Sequence, residues 1–161
     1  MSEIVLLDTT IYLNVLNVEG KNQHRTEVLD EFKKRAENDA SFLLPMATIW
    51  ETGNHIARLS DGGRRRKFAQ ELVDDVSKAL NGETPYRTTY FPNREEFLQW
   101  LVKFPEYAQR NKSEEKLREG ISLADLSIIQ EWERTRRLHP SSRVCIWSLD
   151  IDLKAYDHAP K

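Results

Sequence analysis

Short apolar runs separated by longer helical patterns are the feature that most constrains the fold of this chain. Residues 4–7, 41–44 and 143–148 are such runs. The first is continuously apolar, as in strands that are buried on both faces of a sheet. Short apolar strands that alternate with longer helices indicate an α/β layer fold whose sheet is mostly parallel.

Apolar residues at helical spacing predict the helices between these strands. The predicted helices cover residues 9–16, 26–38, 47–59, 65–80, 94–104 and 122–138, and a last short helix begins at residue 150 and runs to 156. Residues 83–93, with two prolines, are expected to be irregular. The chain has 161 residues and no segment that reads as a linker, so we predict one domain over residues 1–161.

Composition limits the class of protein. The formal net charge is −2, so binding of nucleic acid by overall basicity is excluded and any such binding must depend on local patches. The one cysteine, Cys145, lies in the apolar run VCIW and rules out an intrachain disulfide or a cysteine-based zinc site. The sequence has no secretory signal and no apolar run long enough to span a membrane. We therefore expect a cytoplasmic protein.

Two aspartates follow predicted strands. Asp8 ends the first strand, and Asp150 ends the last one in the segment SLDID. Because parallel strands place their carboxyl ends at one edge of the sheet, both side chains should lie on that edge. Taken alone, each aspartate is better explained as the N-cap of the helix that follows it.

Two further acids lie early in predicted helices. Asp125 falls within the apolar stripe formed by Ile121, Ile128 and Trp132, where a carboxylate must be paired, protonated or bound to a cation. Glu51 lies in the helix that follows the second strand and can also point over a strand end. Four converging carboxylates would repel one another unless a hard divalent cation holds them, and Mg²⁺ or Mn²⁺ suits oxygen ligands. Phosphodiester hydrolysis uses such a carboxylate site.

These segments together resemble the PIN-domain nucleases. The resemblance is carried by the start IVLLDTT, by TIWETGNHIARL, by ISLADLSIIQEW and by SLDID, in this order over nearly the whole chain. It implies that Asp8, Glu51 and Asp125 are the three principal acids and Asp150 the fourth. Ser148 and Thr9 would support them, and Asp152 would share or supplement the role of Asp150 as a metal ligand. Thr10 stands where many members carry asparagine.

The resemblance implies a three-layer α/β/α domain with four or five mostly parallel strands. It also implies an Mg²⁺- or Mn²⁺-dependent endoribonuclease that leaves 5′-phosphate and 3′-hydroxyl ends and is often dimeric. Small bacterial members are commonly VapC-like toxins, which a partner antitoxin neutralises. This chain is longer than the most compact of those, and the extra length lies around residues 83–119, where we expect a helical insertion or elaboration of the domain.

Contacts to RNA have two candidates. The basic run Arg64, Arg65, Arg66 and Lys67 either supplies phosphate contacts or is a solvated helix start. The segment 85–91 interleaves aromatic residues with an arginine, a pattern that suits stacking on unpaired bases but is better explained as a packed loop.

Other classes that gather acids at strand ends fit less well. A receiver domain needs an acid pair after the first strand, and a haloacid-dehalogenase-type site needs an acid where Thr10 stands. The main alternative is an inactive PIN-like domain that binds or scaffolds other proteins. Such a domain should tolerate the loss of one or more acids, and all four are present here, so we favour the enzyme.

Overall fold

Strands and helices alternate along the chain. In the computed structural model, residues 2–160 are described, and they form seven helices and five strands. The strands are β1 (Glu3–Leu7), β2 (Ser41–Leu44), β3 (Tyr86–Thr88), β4 (Arg143–Trp147) and β5 (Asp157–His158). The helices are α1 (Thr9–Val15), α2 (Arg25–Glu37), α3 (Met46–Ala57), α4 (Gly62–Leu80), α5 (Arg94–Gln109), α6 (Leu123–Leu138) and α7 (Ile151–Lys154).

The strands form one sheet in the order β3-β2-β1-β4-β5. The first four strands are mutually parallel, and only β5 runs antiparallel to its neighbour. β1 lies at the centre, where Val5 is paired with Phe42 of β2 and with Cys145 of β4. The carboxyl ends of β1, β2 and β4 therefore lie on one edge, which is where the sequence placed the acids.

The central strand is buried on both faces, as its continuous apolar run predicted. Val5 and Leu7 pack with residues of α1 and α2, whereas Ile4 and Leu6 pack with residues of α6 such as Ile128. Because successive side chains of a strand point to opposite faces, these two clusters lie on opposite sides of the sheet. The predicted three-layer α/β/α fold with a mostly parallel sheet of four or five strands is confirmed.

The largest differences from the sequence prediction are two short strands and the end of one helix. Smaller ones are the start of α4, three residues earlier than predicted, and the end of α7, two residues earlier. β3 forms within the segment that was predicted to be irregular, and β5 forms after the last helix. Each has only two or three residues, which is too short for an alternating pattern. The helix predicted to end at residue 104 continues as α5 through Pro105 to Gln109, since Tyr107 packs into the cluster on the α6 side of the sheet.

The segment 83–119 contains β3 and α5, so it is partly helical. Its status as an insertion remains a prediction. Within the described residues, no helix combines the length and the apolar character that crossing a membrane requires. The Cys145 thiol is buried, as expected from its apolar run, and burial raises its pKa to about 11.

Candidate metal centre

Asp8 lies at the carboxyl end of β1 and is 3% exposed. It occupies the N-cap position of α1, but its side chain makes no capping hydrogen bond. Instead, Oδ2 accepts hydrogen bonds from Ser148 Oγ at 2.7 Å and from Thr10 Oγ1 at 3.0 Å. The cap explanation therefore does not account for this carboxylate, whose orientation is set by two hydroxyl groups.

Glu51 reaches the same region from α3. The helix starts directly after β2 because Pro45 is well suited to its extended N-cap conformation. Thr48 Oγ1 donates to the carbonyl oxygen of Leu7 at 2.8 Å and so fixes the helix against the end of β1. Thr9 Oγ1 then donates to Glu51 Oε2 at 2.7 Å.

Asp125 completes the group from the first turn of α6. Ser122 is the N-cap of this helix, and its Oγ accepts from the Asp125 backbone N–H at 3.0 Å. The apolar side chains on the same stripe, Ile128 and Trp132, are buried against the sheet. Their packing leaves Asp125 only 8% exposed, on the side of the helix that faces the strand ends.

The three acids meet. One carboxylate oxygen each from Asp8, Glu51 and Asp125 lies within 4.8 Å of the other two, and we call this group the acid triad. Burial raises the pKa of Asp8, and the nearby Asp125 charge adds to the shift. Burial also raises the pKa of Glu51, with Asp125 and Asp8 contributing. The triad is therefore a place where negative charge is unfavourable without a cation.

The donor set fits a hard divalent cation. The group holds only carboxylates, with no histidine or cysteine, and Mg²⁺ or Mn²⁺ prefers oxygen ligands of this kind. Two of the three acids, Asp8 and Glu51, form no ion pair with any other described residue.

A lysine at the triad was not identified from the sequence. Lys112 Nζ lies 3.3 Å from Asp125 Oδ2, and the lysine side chain is largely buried. Burial would lower the pKa of Lys112, but the charges of Asp125, Asp152 and Asp150 outweigh this effect and raise the pKa.

The sequence gives no sign of this position, because Lys112 lies in a charged stretch without helical periodicity. Its position depends on the loop from residue 110 to 121, where its backbone N–H donates to the carbonyl oxygen of Glu119 at 2.7 Å.

The two later acids lie outside the acid triad. Asp150 occupies the N-cap position of α7 without a side-chain capping bond, and its backbone N–H donates to Ser148 Oγ at 2.9 Å. Asp152 forms an ion pair with Lys116 at 3.2 Å, and its Oδ1 has no hydrogen-bond partner among the described residues. Their roles as ligands remain predictions, as do the supporting roles of Thr9 and Ser148, which contact Glu51 and Asp8 respectively.

The basic run lies in the first turns of α4 and is exposed. Arg64 pairs with Glu19 at 3.3 Å, Arg65 donates to the carbonyl oxygen of Leu59, and Lys67 lies over the ring of Phe68. None of these contacts reaches the acid triad, so a role in RNA binding for Arg64, Arg65, Arg66 and Lys67 remains a prediction.

The aromatic segment 85–91 divides into two parts. Tyr86 is buried in β3, as expected of a packed segment, and its hydroxyl donates to Asp75. Tyr90 and Phe91 are exposed.

Comparison with solved structures finds the same fold in FitAcB from Neisseria gonorrhoeae. The TM-score is 0.53 at 16% sequence identity, and the match covers 94% of this chain and 91% of that chain. At this identity the likeness concerns the fold alone. Neither protein-family models nor curated proteins match the sequence. The likeness supports the three-layer α/β/α fold that the sequence resemblance implied.

Proposed function

We propose that this protein is a metal-dependent endoribonuclease that hydrolyses phosphodiester bonds in RNA. The observation that carries the proposal is the acid triad, in which carboxylates from three separate elements lie within 4.8 Å of one another. A PIN-like fold and the order of the acidic motifs support the same reaction class.

Asp8, Glu51 and Asp125 would hold Mg²⁺ or Mn²⁺, with Asp150 and Asp152 as further acids at the rim. The bound cation would supply an activated water molecule and offset the charge that develops on the phosphate. The hydroxyls of Ser148 and Thr10 orient Asp8, and Thr9 orients Glu51, so the ligands are positioned before the cation binds. Because Asp8 is buried, little bulk water can reach its carboxylate.

The finer parts of the proposal rest on the sequence resemblance. They are cleavage that leaves 5′-phosphate and 3′-hydroxyl ends, a role as the toxin of a toxin–antitoxin pair, an antitoxin partner, a homodimer and a cytoplasmic location. The gene adjacent to that of this protein offers a simple test of the toxin role, since a small DNA-binding protein encoded there would support it.

Cleavage of varied RNAs with Mg²⁺, with Mn²⁺ and in chelator tests the main proposal. We expect metal-dependent cleavage by the wild type and none by Asp8→Asn, which removes a ligand charge but retains the hydroxyl contacts. Asp74→Asn is the matched control, because Asp74 is an exposed acid on α4 that contacts Gln70. Equal cleavage by the wild type and Asp8→Asn, or no cleavage of any RNA with either metal, would contradict the proposal.

One observation favours a second candidate, a PIN-like module that binds protein without catalysis. Lys112 neutralises Asp125 and Lys116 neutralises Asp152, so part of the acidic region is already balanced by the chain itself. If the lysines neutralise these acids so that the site needs no cation, Mn²⁺ should bind no more tightly to the wild type than to Asp8→Asn in a calorimetric titration.

A further inference from the structure

A groove of about 540 Å³ lies between α3, α5 and α6 and has mainly apolar walls. Its size falls in the range of about 300–1,000 Å³ that is usual for small-molecule sites. Glu51 lines this groove and also belongs to the acid triad, so the two sites are continuous. A group bound in the groove would therefore lie beside the proposed cation site.

Three aromatic rings on the groove wall are exposed, those of Trp50, Phe91 and Phe97, and the first two lie against each other. Trp50 of α3 is 61% exposed and Phe91 is 58% exposed, and their ring centroids lie 5.4 Å apart. The other three tryptophans of the chain are each buried. Large flat side chains left in water next to a reaction centre are a surface on which another flat ring can stack.

A buried carboxylate also lines the groove. Glu131 of α6 is 3% exposed, and its Oε1 accepts from Thr89 at 2.8 Å, with Arg134 at 3.6 Å. Its other oxygen, Oε2, has no hydrogen-bond partner among the described residues. A buried acceptor without a partner is unfavourable, so the groove favours a ligand that brings a hydrogen-bond donor.

We propose that the groove binds an unpaired nucleobase of the RNA substrate, stacked on Trp50 and Phe91, with an N–H of the base donating to Glu131. This inference rests on the proposed function and assigns the subsite that positions a nucleotide next to the cleaved phosphate. A base combines a flat ring with an N–H edge, which matches the two features of the groove. An aliphatic side chain of a protein partner would leave Oε2 unpaired.

Fluorescence provides the measurement because Trp50 is the exposed tryptophan. Binding of short single-stranded oligoribonucleotides to the intact protein in chelator, where cleavage is stopped, should quench its emission. An abasic oligonucleotide of the same length should bind at least roughly fivefold more weakly, since stacking on an aromatic side chain contributes about 1–3 kcal/mol per base. Phe91→Ala should weaken binding of the base-bearing oligonucleotides by a similar factor, with Leu80→Ala on α4 as the exposed apolar control.

Glu131→Gln tests the donor contact. The amide keeps the shape of the side chain but adds N–H groups, so the order of affinity among adenine, cytosine, guanine and uracil oligonucleotides should change. Equal binding of abasic and base-bearing oligonucleotides would overturn the proposal. So would an unchanged order of affinity in Glu131→Gln, or quenching only by a lysine-containing amphipathic peptide, which would make the groove a protein-docking site.

RNA cleavage measured alongside oligonucleotide binding distinguishes the proposed nucleobase subsite from the proposed ribonuclease function. Metal-dependent cleavage with no preference for a base in the groove would overturn the subsite alone. Selective binding of base-bearing oligonucleotides without cleavage under any metal condition would overturn the proposed function instead.

Discussion

Lys112 is the residue whose side chain competes most directly with a cation at the acid triad. Its Nζ lies 3.3 Å from Asp125 Oδ2, so a divalent ion must displace or tolerate this charge. We expect Lys112→Met to bind Mn²⁺ about fivefold more tightly in a calorimetric titration, since an ion pair of this kind contributes up to about 1 kcal/mol. Lys33→Met is the matched control because Lys33 pairs with Glu37 on α2, and neither residue belongs to the proposed cation site. Weaker binding by Lys112→Met would instead show that Lys112 supports the site.

Glu131 couples stability to pH through its burial. Burial raises the pKa of Glu131 from 4.5 to about 7, although the Thr89 hydrogen bond and Arg134 oppose the shift. Between these two values the folded protein holds a proton that the unfolded chain releases, so this group makes stability fall as pH rises from about 4.5 to 7. Asp8 and Glu51 act in the same direction, because their pKa values are also raised.

Urea unfolding at pH 5 and pH 8 measures this dependence. We expect Glu131→Gln to reduce the loss of free energy of unfolding between the two pH values by up to roughly 3 kcal/mol, because the pKa of Glu131 is about 7 in the folded protein and 4.5 in the unfolded chain. Glu83→Gln, at an exposed position after α4, should leave the loss unchanged. An identical loss in Glu131→Gln and the wild type would show that Glu131 does not titrate in this range.

At the scale of elements, apolar runs were sufficient to locate the main strands. The predicted strand of residues 41–44 coincides with β2, and the first and last predicted strands agree with β1 and β4 to within one residue. β3 was missed because Tyr86 is its only large apolar residue, and the extent of α5 was missed because Pro105 normally interrupts a helix. Regular burial leaves a periodic pattern in the sequence, whereas short edge strands do not.

The same distinction explains which parts of the site were predictable. Asp8, Glu51 and Asp125 were identified because each breaks or follows an apolar pattern, and the structure brings these three together. Lys112 lies in a loop, and the path of this loop depends on contacts between residues that have no regular spacing in the sequence. Its approach to Asp125 could therefore not be inferred from spacing.

Gly120 is the position on which the path of that loop depends. A Cβ atom there would lie 2.0 Å from the carbonyl oxygen of Ala108, so Gly120→Ala must displace the backbone. We expect a lower melting temperature in chelator and tighter binding of Mn²⁺, because Lys112 would move away from Asp125. Gly62→Ala is the control, since its Cβ would meet only the flexible end of Arg65 at 3.4 Å. Unchanged stability and unchanged affinity would mean that the loop adjusts without moving Lys112.

At the scale of the whole molecule, the parallel sheet concentrates acidic side chains at one edge while the net charge of the chain is only −2. The positive and negative charges on the remaining surface are nearly equal in number, so the negative electrostatic field is confined to that edge of the sheet. A cation that binds there should therefore stabilise the folded protein through a few specific ligands, and monovalent salt at the same ionic strength should not reproduce the effect.

Thermal unfolding with and without a divalent ion tests this view of the molecule. At a free concentration one hundred times the dissociation constant, Mn²⁺ should stabilise the fold by about 2.7 kcal/mol. For a chain of this size the melting temperature should rise by roughly 5–10 °C. Asp8→Asn should lose most of this increase, yet in chelator it should melt at or above the wild-type temperature, because it removes a buried charge that has no ion-pair partner among the described residues. If Asp8→Asn instead melts well below the wild type in chelator, the carboxylate stabilises the fold itself, and the acid triad is a structural feature of the sheet edge.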